Sequence, residues 1–201
     1  MFLWNDFPRD ENGAIQEPSD HMISTYRGVV EKANELGYDQ LCVLPDEEIK
    51  QVVTSIGLAR DRCTYFRSVQ SFLQQSELTL EALHASKNDV LIKHFAANVK
   101  GAGYKVAQCA ILYAKGYHCG IFPVDSGMKD MLGPCLGLSL PRRPIAHEIM
   151  RQHIEGLLQT HASSYLQLAR ELGYGTLALP HDSVPVWWAH LVLIYFKTAI
   201  L

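Results

Sequence analysis

No Cys-x-x-Cys pair occurs anywhere in the chain. Its five cysteines, Cys42, Cys63, Cys109, Cys119 and Cys135, are odd in number and widely spaced. Neither a zinc site nor a disulfide framework is indicated, no metal site is expected, and reduced thiols in a cytosolic type of protein are the default. Charge is scarce as well: 19% of residues are charged, and the formal net charge of -3 lacks the basic excess that accompanies strong nonspecific nucleic-acid binding. No basic segment followed by an apolar stretch opens the sequence, which speaks against secretion and for a cytoplasmic, nucleoid or nuclear location. The most apolar run, residues 184–201, contains His190 and Lys197 and falls short of the roughly 20 residues that span a bilayer, so no membrane partner is expected. It predicts a buried helix. Strand alternation, internal repeats and low-complexity tracts are missing too.

What is present is helical. With 201 residues and 48% apolar content, the chain can build one or two compact units with a genuine core. Residues 1–20 interleave Phe2, Trp4 and Phe7 with Pro8, Gly13, Pro18 and acids, which predicts an extended arm. Residues 21–201 predict one helical domain of an all-α protein. In residues 21–36, apolar positions recur at helical spacing and Gly37 stops them; Pro45-Asp46-Glu47-Glu48 opens a second helix that ends at Gly57. Helical runs follow to Leu73, over residues 78–83, over residues 87–98, and from Tyr104 to a stop at Gly116. The Gly133-Pro134 pair is expected to break a two-turn helix after Asp125, and Pro141-Arg142-Arg143-Pro144 predicts a basic linker. His147 with Arg151, and Glu148 with Gln152, lie one turn apart and predict helix-surface pairs. Lys100, Lys105, Lys115, Lys129, Arg142, Arg143 and Arg151 gather mid-chain, whereas residues 1–48 are mainly acidic.

Residues 99–138 organise the rest. Gly101-x-Gly103 separates two helical patterns over residues 88–116, and such a turn can present backbone N–H groups at the start of the second helix, where a phosphate is well held. Lys105 sits two residues past the turn. Twenty positions later, Pro123-Val124-Asp125-Ser126-Gly127 brings a carboxylate to the start of the next helix, where it can cap exposed amides and stay ionised.

Gly101-x-Gly103-x-Lys105-Val106-Ala107-x-Cys109, followed by Pro123-Val124-Asp125, resembles the helix-hairpin-helix DNA glycosylase superfamily, especially its endonuclease III and 8-oxoguanine glycosylase branches. The resemblance implies an all-α bundle of that type. Its hairpin residues Lys100, Gly101, Ala102, Gly103 and Tyr104 would grip duplex or single-stranded DNA, with a monovalent cation on the hairpin carbonyls. It further implies that Lys105 attacks the sugar C1′ and that Asp125 steadies the sugar cation, giving base removal with or without lyase activity. A desolvated lysine can act as such a nucleophile, and a fixed carboxylate can stabilise a developing cation. The four-cysteine iron–sulfur loop of many endonuclease III relatives has no counterpart here, and Val124-Asp125-Ser126-Gly127 stands where many lysine-bearing relatives read Val-Asp-x-His. Two alternatives stay open. One is a transferase on the same fold that modifies a base, as in phage-type thymine hypermodification where an amine displaces pyrophosphate; the other is a DNA-binding module without catalysis.

Overall fold

The computed structural model describes residues 20–76, 78–173 and 186–200. Among them the chain is all helical, and it divides into two compact units between Ser71 and Phe72. The proposed arm, residues 1–20, lies almost wholly outside the described residues.

The first unit opens with α1 (Asp20–Val43), which is kinked where Gly37 takes φ 75°, so the helical stop expected there is present and a short further helix follows it. Pro45 leads into α2 (Asp46–Val53), whose first turn carries Asp46, Glu47 and Glu48 at the positive end of the helix dipole. A 3-10 turn (Thr54–Ile56) and Gly57 at φ 72° connect it to α3 (Ala59–Ser76). Arg67 on α3 clamps the α1–α2 junction: Nε donates to Asp46 Oδ1 at 2.9 Å, and the guanidinium also donates to the carbonyls of Cys42 and Leu44. That pairing holds the Asp46 carboxyl below its ordinary pKa.

The second unit contains α4 (Leu80–Ala85), α5 (Asn88–Asn98), α6 (Tyr104–Lys115), α7 (Ser126–Cys135), α8 (Ala146–Thr160), α9 (Ala162–Glu171) and α10 (Val186–Ile200). Apolar residues Leu91, Ile92 and Phe95 of α5 and Ala107, Ile111 and Leu112 of α6 are buried as the chain turns back on itself between the two helices. A second cluster, Phe122, Val124, Met128, Leu132, Met150, Ile154, Val186 and Ala189, joins α7, α8 and α10 around the segment that precedes Asp125. Full burial of a side chain of this size contributes roughly 1.5–3 kcal/mol, so this cluster fixes α7, the helix that Asp125 caps, against α8 and α10. α10 is only partly enclosed: Val186, Ala189 and His190 are buried, whereas Val192 is exposed.

Two expectations are corrected here. The Gly133-Pro134 pair does not end its helix; α7 continues to Cys135. Pro134 falls in the last turn, and Gly133 passes so close to Leu140 that an added Cβ would lie 3.2 Å from Leu140 Cδ1. The helix instead ends at Gly137 (φ 66°), with Leu138 N–H donating to Gly133 O at 2.8 Å and Gly137 N–H to Pro134 O at 3.0 Å, a Schellman closure. The second correction concerns α8. Glu148 and Arg151 are not surface residues; they are 1% and 0% exposed and form the centre of a buried ionic cluster.

Candidate active site

The hairpin between α5 and α6 is a β-turn over residues 99–102. Ala102 N–H donates to Val99 O at 3.1 Å, and Gly101 takes φ 78°, the left-handed value this turn requires at its third position. Ala102 is buried, its amide is used inside the turn, and Lys100, Gly101 and Gly103 are exposed. Gly103 differs from Gly101. Its φ is -69°, open to any residue, and a Cβ built there meets nothing within 4 Å. Space in front of the amides, not backbone strain, is what Gly103 supplies. It precedes α6 without a side-chain cap, so the first-turn amides that no helix can satisfy internally face outward with Tyr104 beside them. The turn Val99-Lys100-Gly101-Ala102-Gly103 contains no side-chain oxygen. A cation there would be held by backbone carbonyls alone, a donor set without negative charge that suits a singly charged ion better than a divalent one.

Lys105 and Asp125 are both half-buried. Asp125 caps α7, its Oδ1 accepting Met128 N–H at 2.6 Å. Both charges bear on the pKa of the same two side chains. Burial raises the Cys109 thiol pKa, with Lys105 opposing and Asp125 reinforcing the rise. Burial lowers the His190 imidazole pKa to about 4, with Lys105 adding to the fall while Asp125 and the Pro123 carbonyl oppose it. His190 Nδ1 is buried with no hydrogen-bond partner. Its ring stacks on Trp187 at 5.0 Å between centroids and meets the edge of Phe122 at 5.2 Å.

Asp125 is placed by what holds the segment before it. Val124 N–H donates to Gln108 Oε1 at 2.9 Å, Val124 O lies 2.8 Å from His147 Nδ1, and Phe122 N–H donates to Glu155 Oε1 at 2.8 Å. Gln108 lies one turn beyond Lys105 on α6, so a single amide side chain links the lysine's helix to the aspartate's segment. Its other end donates to Glu148 Oε2 at 3.1 Å. Glu148 in turn accepts from Arg151 at 2.6 and 2.9 Å, and Arg151 reaches Glu155 and Asp89, each at 2.5 Å. Burial works against the Arg151 charge, but its bonds to Glu148 and Asp89 and the charge of Glu155 more than offset this and raise its pKa. Glu155 is pushed up by burial against the pull of Arg151 and of the Phe122 amide.

The mid-chain basic residues therefore do not form one patch. Arg151 is spent inside, Lys115 donates to Ser86 O and Asn88 Oδ1 at 2.8 and 2.9 Å, and Lys129 pairs with Asp130 at 3.3 Å. An apolar cavity of about 230 Å³ lies on the opposite face of α6 from Lys105, against Phe72, Leu83, Phe95 and Ile111, and offers no charged group to the site. Among the described residues, no group of three or more His, Cys, Asp or Glu could hold a metal ion, and no helix is long and apolar enough to cross a membrane. Gln108, His147, Glu155 and His190 have no part in the motif that marks Lys105. Gln108 and His190 are each a lone polar residue inside an apolar helical run, Val106-Ala107-Gln108-Cys109-Ala110 and Trp188-Ala189-His190-Leu191, whereas His147 and Glu155 carry no such signal among the other polar residues of α8. Compared with protein-family models, with curated proteins and with solved structures, the chain finds no match.

Proposed function

We propose that the chain is a DNA glycosylase-like enzyme of the helix-hairpin-helix type, removing a modified or damaged base with Lys105 as nucleophile and Asp125 as its electrostatic partner. The observation that carries the reading is that Gln108, one turn beyond Lys105 on α6, accepts the N–H of Val124, the residue before Asp125, and so ties the lysine's helix to the aspartate's segment. In the proposed reaction the Lys105 amine attacks C1′ as the bond from C1′ to the base breaks, and the base leaves with that electron pair. Opening of the sugar ring then yields a Schiff base on Lys105. Asp125 stabilises the positive charge that develops on the sugar. Gln108, His147 and Glu155 hold the backbone that carries it, which is the supporting shell such an arrangement needs.

The test is incubation with oligonucleotides bearing a panel of modified bases plus borohydride, which reduces a Schiff base to a stable amine. A trapped adduct in the native protein and none in Lys105→Gln supports the reading. Asp125→Asn should keep DNA binding and lower turnover by on the order of a hundredfold to a thousandfold. Absence of both trapping and base release across the panel would sink it. A base-modifying transferase on the same fold is favoured over repair by the net charge of -3, since a genome-scanning enzyme gains from a basic surface.

A further inference from the structure

Beyond the hairpin and the lysine, two tyrosines at the far end of α6, Tyr113 and Tyr117, are used by neither. Lys105, Cys109 and Tyr113 follow at four-residue intervals, so they share one stripe of the helix. Tyr117 comes just past its end. Tyr113 and Tyr117 are 58% and 50% exposed, and their rings meet edge to face at 6.0 Å. Tyr117 packs on Trp187 at 4.9 Å, and Trp187 stacks on the buried His190 at 5.0 Å. The stack is thus anchored in the core at one end and open to solvent at the other. Tyr117 cannot fold inward, because Trp187 already covers its inner side.

We propose that Tyr113 and Tyr117, backed by Trp187, form a stacking platform for unpaired bases of the strand whose phosphate the hairpin holds. The inference rests on the glycosylase-like reading and narrows its partner from DNA in general to a single-stranded segment. The stripe runs from the hairpin past Lys105, so the partner must offer phosphates at one end and ring faces at the other. A duplex keeps its base faces covered, whereas a single strand presents them, and stacking tolerates any sequence because every base has such a face. Eight helical residues separate Lys105 from Tyr113, about 12 Å, the length of roughly three to four stacked nucleotides.

The experiment compares three labelled probes at low salt: a twelve-nucleotide thymidine strand, the same strand with abasic sugars, and a duplex of equal length. The thymidine strand should bind most tightly. Tyr113→Ala and Tyr117→Ala should each weaken that binding roughly tenfold and leave the abasic strand and the duplex unchanged. Tyr117→Phe should restore it, which a hydrogen-bonding role of the phenol would not allow. Equal affinity for thymidine and abasic strands, or full thymidine affinity in both alanine variants, overturns the platform while leaving the hairpin reading intact. If no probe binds the native protein, the hairpin reading falls and the platform with it.

Discussion

Acidification should destabilise this protein through one ring. His190 is 5% exposed, and burial together with the nearby Lys105 charge brings its pKa to about 4. In the unfolded chain the imidazole returns to its ordinary value of about 6.5. Between those values the unfolded chain binds a proton that the folded chain refuses. Stability therefore rises with pH across the window and is lost as the pH falls from about 6.5 toward 4. A gap of roughly 2.5 units corresponds to about 3 kcal/mol in full, of which roughly 2.5 kcal/mol is gone by about pH 4.5. The assay is urea unfolding of the native protein and of His190→Leu at a series of pH values. Carboxylates contribute to both curves, so the difference between the proteins isolates the ring. The native protein should lose more stability on acidification than the variant, and the His190 ring signal in NMR should titrate near 4. A ring midpoint near 6.5, or parallel profiles for the two proteins, would refute the reasoning.

Four further substitutions test the scaffold. Arg151→Met strands Glu148 and Glu155 without their cation and should cost about 3–5 kcal/mol in chemical denaturation; a loss under about 1 kcal/mol would remove the cluster as the unit's buried anchor. Gln108→Leu keeps the volume but leaves the Val124 N–H unpaired, so about 1–3 kcal/mol should be lost and borohydride trapping should weaken while hairpin binding to an abasic strand persists. Gly101→Val should cost about 1–2 kcal/mol because of its positive φ, whereas Gly103→Val should leave thermal stability unchanged and weaken salt-dependent DNA binding. Equal melting temperatures for those two valine variants would show that the glycines are not distinguished as described.

Local signals in the sequence placed several boundaries. α6 runs from Tyr104 to Lys115 because Gly103 and Gly116 flank an unbroken helical pattern, and Gly37, Pro45 and Gly57 mark the ends of their helices for the same kind of reason. Where local punctuation met tertiary contact, it failed. Gly133 and Pro134 read as a break, yet Gly133 is accommodated inside α7 by the close approach of Leu140. The charges of α8 were the larger gap. Helical spacing puts Glu148 and Arg151 on one side of a helix, but whether that side faces water depends on Asp89, sixty-two residues from Arg151 along the chain. The capping role of Asp125 is legible from spacing and residue type; the side chains that hold the Asp125 segment are not, since each donates to or accepts from backbone atoms of a distant element.

Residues 121–124 lie in neither helix nor strand, yet the amides of Phe122 and Val124 are locked by side chains from α8 and α6. In a sheet, such protons are released when a neighbouring strand frays. Here they are released only when a helix withdraws its carboxylate or its carboxamide. Their hydrogen-exchange rates therefore act as two internal clocks, one timing the departure of α8 and the other that of α6 from the aspartate's segment. The slower sets the free energy of opening the complete site, and it can be read with no substrate in hand.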